Sequence, residues 1–440
     1  MANIRVVSCL AESIGMGIRL MAEGHQVDYY IHESGEKDCG DGIITKVDDW
    51  RQGLEEKDLL IFDDLDQKVE GEGTYKPSAW SAEVREKYPG LLIIGGGHPD
   101  VARLENDRMF AQSVMETYGI PTVPMERFTS FEDAKKFLQE HPGAWALKHN
   151  NQVNRNAAKV AKDADSMIEF IDWLEANWTF LGGGKPVDFV LQEAAPEGGV
   201  EFAVTCFFDG QRFRSEVCYL NQEEKKLMDG QKGPSTGQMG EIGFCVPNAR
   251  LFRETLAKIE PFLQGKNYCG FADCNCIVGP DFLVPLEFTI GRPGYPTLYS
   301  WLEMLAEPVG DWLIRMAKQD PAPVQAYDAV NCTLVLATGS FPEPDETQAK
   351  LAVLNGLDKT GLEHVWLGEV RFDQDKFMGA GTMGYLAVVT NKGRSIPDAA
   401  RRAYGVIDEL SVVPFEIMRM DIGRRAMEEF EKLEAWGWLE

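Results

Sequence analysis

Six residues of this chain have both the type and the setting for chemistry. Lys148 closes the apolar run Trp145-Ala146-Leu147, Glu193 closes Phe189-Val190-Leu191-Gln192, and Glu201 opens Phe202-Ala203-Val204. Asp273 and Asn275 alternate within Phe271 to Val278, and Glu287 follows Leu283-Val284-Pro285-Leu286, after the turn Gly279-Pro280-Asp281. Such runs read as buried strands, and buried strands that end in isolated acids or bases are where α/β proteins build sites. Residues two apart on a strand share a face, so Asp273 and Asn275 lie on one side and Glu287 stands on the returning strand. Oxygen ligands gathered on paired strands suit Mg²⁺ bridging nucleotide phosphates. Each acid taken singly reads as a solvated or capped carboxylate, but an unpaired charge inside an apolar strand is costly, which favours the metal for the set. Lys148 taken alone reads equally as structural or functional. Cys274 and Cys276, which flank Asn275, fit one face of a buried strand better than a two-thiolate metal clip.

The elements that must position these residues follow from the apolar pattern. Ile4 to Val7, Val27 to Ile31, Leu59 to Phe62 and Leu91 to Ile94 read as buried parallel strands, and Ile14, Ile18 and Met21 mark one face of the helix between the first two. No GxGxxG follows the first strand, so a dinucleotide is not implied. A helix covers Glu105 to Gly119, and Ser130 caps a second, Phe131 to Glu140. Phe207 to Gln211 turns a hairpin. Pro321-Ala322-Pro323 reads as a linker; beyond it Cys332 to Leu336 and Tyr385 to Val389 read as strands, and Pro397 to Leu410 as a helix. The octapeptide Gly233 to Gly240, GPSTGQMG, has almost no side chain to pack and alone reads as a flexible turn.

With 440 residues, of which 44% are hydrophobic and 26% charged, the chain has ample core for two or three domains. A net charge of -26 repels phosphate backbones and anionic lipid, so neither nucleic acid nor membrane is expected as a partner. The nine cysteines are scattered and set among apolar neighbours, with no CxxC pair, as suits reduced thiols in a cytoplasmic protein.

Five stretches then occur in the order found in ATP-grasp ligases: Leu104 to Thr122, the strand ending in Lys148, Gln192-Glu193 with Glu201, Met228 to Gly243, and Pro285 to Thr297. Together they resemble glycinamide ribonucleotide synthetase. That family shows a pattern like DGDTGPNTGGMGAY where this chain has Asp229 to Ile242, and like RKDIGxRAL where it has Arg419 to Met427. The resemblance implies an α/β fold: an N-terminal doubly wound parallel α/β domain (1–103), a central ATP-grasp fold (104–322, with a lid over about 122–194) and a C-terminal α+β domain (323–440). It implies an amide-forming ligase using ATP with Mg²⁺ or Mn²⁺, an amino acid and an amine, in a monomer or homodimer. Arg108 and Lys148 would hold the ATP phosphates, Leu191, Gln192, Glu193 and Ala194 would line the adenine, and Glu201 would take the ribose hydroxyls. Glu287 with Asp273 or Asn275 would bind the metal. Arg292 would hold the carboxylate or acyl phosphate, making Arg292 and Lys148 the catalytic cations. Ser235, Thr236, Gly237, Gln238, Met239 and Gly240 would form the acceptor-side loop. Without the resemblance, Arg108 would pair with Glu105 and Arg292 would serve equally as a loop ion pair.

The chain departs from the family at four places. The glycine-rich turn after the first strand, part of the phosphoribosylamine site, becomes Ser8-Cys9-Leu10-Ala11-Glu12-Ser13-Ile14-Gly15, which loses an Arg and a His and gains an acid. The glycine-rich phosphate lid after Lys148 becomes His149 to Lys159 without a glycine. Thr289 stands where an Asn would ligate metal, and Pro293-Gly294-Tyr295-Pro296 lacks the family's acid. Two readings follow: a ligase with glycine and phosphoribosylamine or a related amine, or an inert relative that binds nucleotide or protein.

Overall fold

In the computed structural model, residues 1–69, 73–150, 157–182, 184–291, 295–357 and 362–440 are described. The apolar N-terminal runs form a parallel sheet in the order Thr45–Lys46, Gln26–Ile31, Asn3–Ser8, Leu59–Phe62, Leu92–Ile94. Its central strands are apolar at consecutive positions because both faces are covered. Ile4 and Val6 face the core beneath the helix Ile14–Ala22, and Val7 faces a second core with Trp50, Phe62 and Tyr75. On that helix the buried residues are Ile14, Gly15, Met16, Gly17 and Leu20, while Met21, expected on the inner face, is 37% exposed. The two glycines turn the helix: a Cβ at Gly17 would meet Ile44 Cδ1 at 2.8 Å, so the bare side of the helix packs inward. Thr45–Lys46 is too short and polar to show in the pattern.

The chain divides into two units, the first made of residues 1–102, 202–274 and 289–440, the second of residues 103–201 and 275–288. The first unit holds the parallel sheet and most of an antiparallel sheet in which Tyr219–Glu223, Gly240–Cys245, Val330–Ala337, Tyr385–Gly393 and Val365–Leu367 are successive neighbours. A four-stranded antiparallel sheet of Val370–Asp373, Lys376–Gly379, Val353–Asn355 and Ser411–Val413 completes it. The helix Ile396–Ile407, capped by Ser395, buries Ala399, Ala403 and Ile407. The chain passes between the units inside the strands Val200–Phe208, Gly270–Val278 and Leu283–Gly291.

The second unit is built on the sheet Lys159–Ala161, Trp145–His149, Phe189–Glu193, Met125–Phe128, packed by the helices Phe131–Glu140 and Ala164–Leu181 around Leu147, Phe189 and Leu191. Ser130 caps the first of these through the Asp133 N–H, and Asp163 caps the second through Ser166. The helix expected over Glu105 to Gly119 is two helices, Pro99–Asn106 and Arg108–Thr117. Asp107 accounts for the break: its extended backbone ends the first, and its carboxylate accepts from the Phe110 N–H to start the second. No helix among the described residues is long and apolar enough to cross a membrane. All nine cysteines are free thiols.

Candidate functional site

Starting the helix at Arg108 sets its first side chain over the second unit's sheet. Arg108 Nη1 lies 3.2 Å from Glu287 Oε2, and its Nε donates to the His149 carbonyl at 3.3 Å. The partner is therefore Glu287, distant in sequence, rather than Glu105. Lys148, next to His149 on the same strand, donates from Nζ to the Leu286 carbonyl at 3.1 Å. Arg108, Glu287 and the buried Gln192 line one cleft together with Met115 and Met125. One cation, the carboxylates of Glu105 and Glu287 and the amides of Gln112 and Gln192 thus line the cleft beside apolar side chains, with Lys148 bonded to the carbonyl of Leu286 on its wall, a mixture that suits a nucleotide's phosphates and base.

The remaining candidates for nucleotide contact follow from Phe189–Glu193. Leu191 is buried in the sheet core, whereas the Glu193 side chain is exposed. The Glu193 and Ala194 N–H groups donate to the Pro124 and Ala144 carbonyls at 2.8 and 2.9 Å, which fixes this segment against two neighbouring connections. Glu201 is half-buried at the start of its strand.

His149, which the sequence pattern did not single out, is the pivot of the cleft. Its ring Nε2 lies 2.7 Å from the Ala157 carbonyl and its imidazole stacks on Trp178 at 5.5 Å. Burial holds the ring below its ordinary pKa, with Arg108 adding to the effect. The neutral ring therefore anchors the strand end whose carbonyl holds Arg108. The signal was alternation: the residue after Lys148 must face the opposite side of the sheet, into the helix Ala164–Leu181.

Asp273 and Asn275 are both buried on the strand Gly270–Val278. Thr205 Oγ1 donates to Asp273 Oδ2 at 2.8 Å, and burial, then the Glu223 charge, pushes the Asp273 carboxyl well above the usual carboxylate range. Among the described residues no group of three or more His, Cys, Asp or Glu side chains is arranged to hold a metal. Arg292 and residues 151–156 of the glycine-free segment lie outside the described residues.

The first unit builds the acceptor-side loop. Lys232–Ser235, expected as part of a flexible turn, is a strand paired with Lys226–Met228. The Thr236 N–H donates to the Lys225 carbonyl at 2.7 Å, and Met239 N–H to that of Glu224 at 2.7 Å. Thr236, Gln238, Met239 and Gly240 are buried, while Ser235 and Gly237 are exposed. A Cβ at Gly240 would lie 2.5 Å from the Thr333 carbonyl oxygen, whereas at Gly237 it would meet nothing within 4 Å. Only Gly240 is thus required by the fold. Gln238 bonds through Nε2 to Glu241, a fully buried carboxylate that also accepts from Tyr219, Asn221 and Thr297. Arg419, itself 1% exposed, grips the hairpin's base: it donates to Asp421 and, at 3.1 Å, to the Lys226 carbonyl, and it pairs with Glu224. The two stretches that resemble family patterns, around Asp229 and around Arg419, are therefore one structural assembly.

The family described as "Phosphoribosylglycinamide synthetase, ATP-grasp (A) domain" matches residues 106–264. Phosphoribosylamine–glycine ligase of Lactococcus lactis subsp. lactis is 26% identical over 345 residues, covering 76% of this chain and 79% of its own length. The same enzyme of Chlorobaculum tepidum is 26% identical over 358 residues, covering 78% and 80%. Among solved structures, phosphoribosylamine–glycine ligase of Thermotoga maritima superposes with a TM-score of 0.69 at 20% identity, over 96% of this chain and 100% of that one. The biotin carboxylase domain of the Hydrogenobacter thermophilus 2-oxoglutarate carboxylase, in complex with MgADP, superposes with a TM-score of 0.62 at 13% identity, over 94% and 91%. The architecture and the cleft of the second unit, taken with these matches, make the chain similar in sequence to phosphoribosylamine–glycine ligases and similar in fold to ATP-grasp enzymes.

Proposed function

We propose that the chain joins an amino acid, glycine by default, to an amine through an acyl phosphate formed from ATP. The observation that carries this reading is the cleft lined by Arg108 and Glu287, with Lys148 bonded to the Leu286 carbonyl on its wall, in a chain whose relatives are ligases of this type. The carboxylate oxygen of the amino acid attacks the γ-phosphorus and ADP leaves. The amine nitrogen then attacks the acyl carbon, phosphate departs, and the nitrogen gives up a proton.

Arg108 and Lys148 supply fixed positive charge where the phosphate oxygens gain negative charge, in a site partly closed to water. The Arg108–Glu287 pair stands in for the bound state: a phosphate oxygen takes the place of the carboxylate on the guanidinium, and Glu287 is released. Glu287 and Asn275 are oxygen ligands of the kind Mg²⁺ or Mn²⁺ accepts, and Asp273 is a further such oxygen on the strand of Asn275. A divalent cation held there would neutralise charge along the triphosphate. Gln192 and the 193–194 backbone would meet the base, Glu201 the ribose, Arg292 the acyl phosphate, and Ser235 to Gly240 the acceptor.

The test is ADP and phosphate release with MgATP, glycine and a panel of amines. Equimolar ADP, phosphate and amide are expected. Nucleotide binding by calorimetry with no ADP from any pair would instead identify an inert relative.

A further inference from the structure

The helix Ala164–Leu181 of the second unit packs inward through Met167, Ile171 and Leu174, which are buried. It turns two further stripes to the outside. One carries Asp165, Glu169, Asp172 and Glu175, all exposed, and Lys135 lies 2.9 Å from both Asp172 and Glu175. The other carries Phe170, Trp173, Asn177 and Phe180, spaced three, four and three residues apart, so they stand on one face of the helix. These four residues and Lys159 line a groove in the surface. Phe180 is 81% exposed and Trp173 45%, and aromatic surface left together in water marks a place of contact. Phe170 stacks on Trp173 with ring centroids 5.6 Å apart, and Lys159 Nζ lies 5.2 Å from the centre of the Phe170 ring. Residues 151–156, Asn-Gln-Val-Asn-Arg-Asn, have one apolar side chain with which to cover three rings. The acids beside the stripe repel an anionic lipid surface.

The stripe is its own complement. Its spacing reads the same from either end, about a midpoint level with Glu175. Two such helices laid antiparallel across a two-fold axis match Phe170 with Phe180 of the second copy and Trp173 with Asn177 of the second copy, each contact occurring twice. The polar groups match as well. Asn177 Nδ2 donates to the Trp173 carbonyl of its own helix at 2.7 Å, which leaves its Oδ1 as an acceptor. The Trp173 indole N–H has no protein partner among the described residues, and across the axis it donates to that oxygen. Lys159, beside Phe170, comes to the last turn of the opposite helix, where no basic residue offsets the partial negative charge of the final carbonyls. A parallel arrangement would instead set Trp173 against Trp173 and bring the two Lys159 side chains together.

We infer that a second copy of this chain docks on this stripe, the two Ala164–Leu181 helices pairing antiparallel in a symmetric dimer. The inference goes beyond the ligase reading and does not rest on it. An aromatic side chain buries about 150–250 Å², so the exposed parts of the stripe, summed over both copies, come to roughly 500–1,000 Å². Contacts below about 1,200 Å² are weak and reversible. The dimer therefore forms at high concentration and parts on dilution.

Sedimentation equilibrium of the full chain, over about 1 to 500 μM, should show the mass rise from one chain towards two. The mass of one chain throughout overturns the inference. Phe180→Ser and Trp173→Ala change exposed side chains outside the helix's buried face, so their unfolding midpoints should stay near the parent's while association weakens by about 10-fold or more. Unchanged association in both variants overturns the assignment of the surface. The direction of pairing is read by cysteine crosslinking with diamide, the parent serving as control for the native thiols. A mixture of Phe170→Cys and Phe180→Cys chains should yield a disulfide-linked pair, and each variant alone none beyond the parent. Crosslinking of each variant alone overturns the antiparallel two-fold.

Discussion

Arg108 shares its guanidinium between a carboxylate from a distant strand and a backbone carbonyl from the end of another. Its removal therefore leaves Glu287 without this partner and takes a cation from the proposed phosphate site. Arg108→Ala should raise the KM for ATP by on the order of 100-fold, with little change for the amine, measured by initial rates. Glu287→Gln keeps the size and the hydrogen-bonding oxygen but not the charge. ADP release should fall by roughly 100-fold and recover in part at raised Mg²⁺ or Mn²⁺; full activity would remove Glu287 from the metal site. Lys148 and Glu287 were legible because an isolated charge in an apolar run needs a reason. Arg108 was named only through the resemblance, since by residue type alone an i−3 acid offered a sufficient partner and only the fold brings Glu287 to it. His149 stayed hidden because its contribution is made by a carbonyl and a stacked ring, neither of which leaves a mark in residue type.

At the level of elements, local rules place the site and glycine spacing refines it. Asp107→Ala should cost about 1 kcal/mol through the lost cap. It should also loosen Arg108, so that the KM for ATP rises more than stability falls; denaturant titration and kinetics separate the two. Arg419 is buried with Asp421 and Glu224, and breaking such a set by removing one partner costs about 3–5 kcal/mol. Arg419→Met should therefore lower the unfolding midpoint strongly and leave the hairpin before Thr236 open to proteolysis. Strand positions from Ile4 to Phe62, the Ser130 cap and the turn at Gly279 were all readable, since each is set by neighbours in sequence. The double helix at Asp107 and the pairing of Lys232–Ser235 were not. In both, one residue that can end or begin an element is decided by what packs beside it.

Across the whole chain, distant segments are tied by groups whose charge depends on pH. Glu36 accepts from Thr382 and Cys39, and Glu369 accepts from the N–H groups of Met383, Gly384 and Tyr385, with Gly381 set between the two side chains. Burial, first, raises both carboxyls above the usual range, with the Asp38 charge adding to it at Glu36 and the Glu36 charge at Glu369. Folding thus takes up protons here: the pair's stabilising contribution is present in acid, below the ordinary Glu value of about 4.3, and is lost as pH rises through the raised values. Glu369→Gln keeps an acceptor for the three N–H groups and removes that loss, so its Tm should fall less than the parent's between about pH 5 and pH 8 in a calorimetric scan.

The discontinuous make-up of the second unit carries a consequence for biogenesis. Its sheet and helices are all synthesised by residue 201, yet Asn275–Phe288, which brings Glu287 to Arg108, emerges only after the intervening stretch of the first unit. On a ribosome the proposed nucleotide cleft therefore cannot be finished when its framework is, and a nascent chain arrested before Asn275 should fold that framework without binding ATP. If the cleft takes ATP as proposed, truncated products that end before Asn275 should be unable to sequester nucleotide.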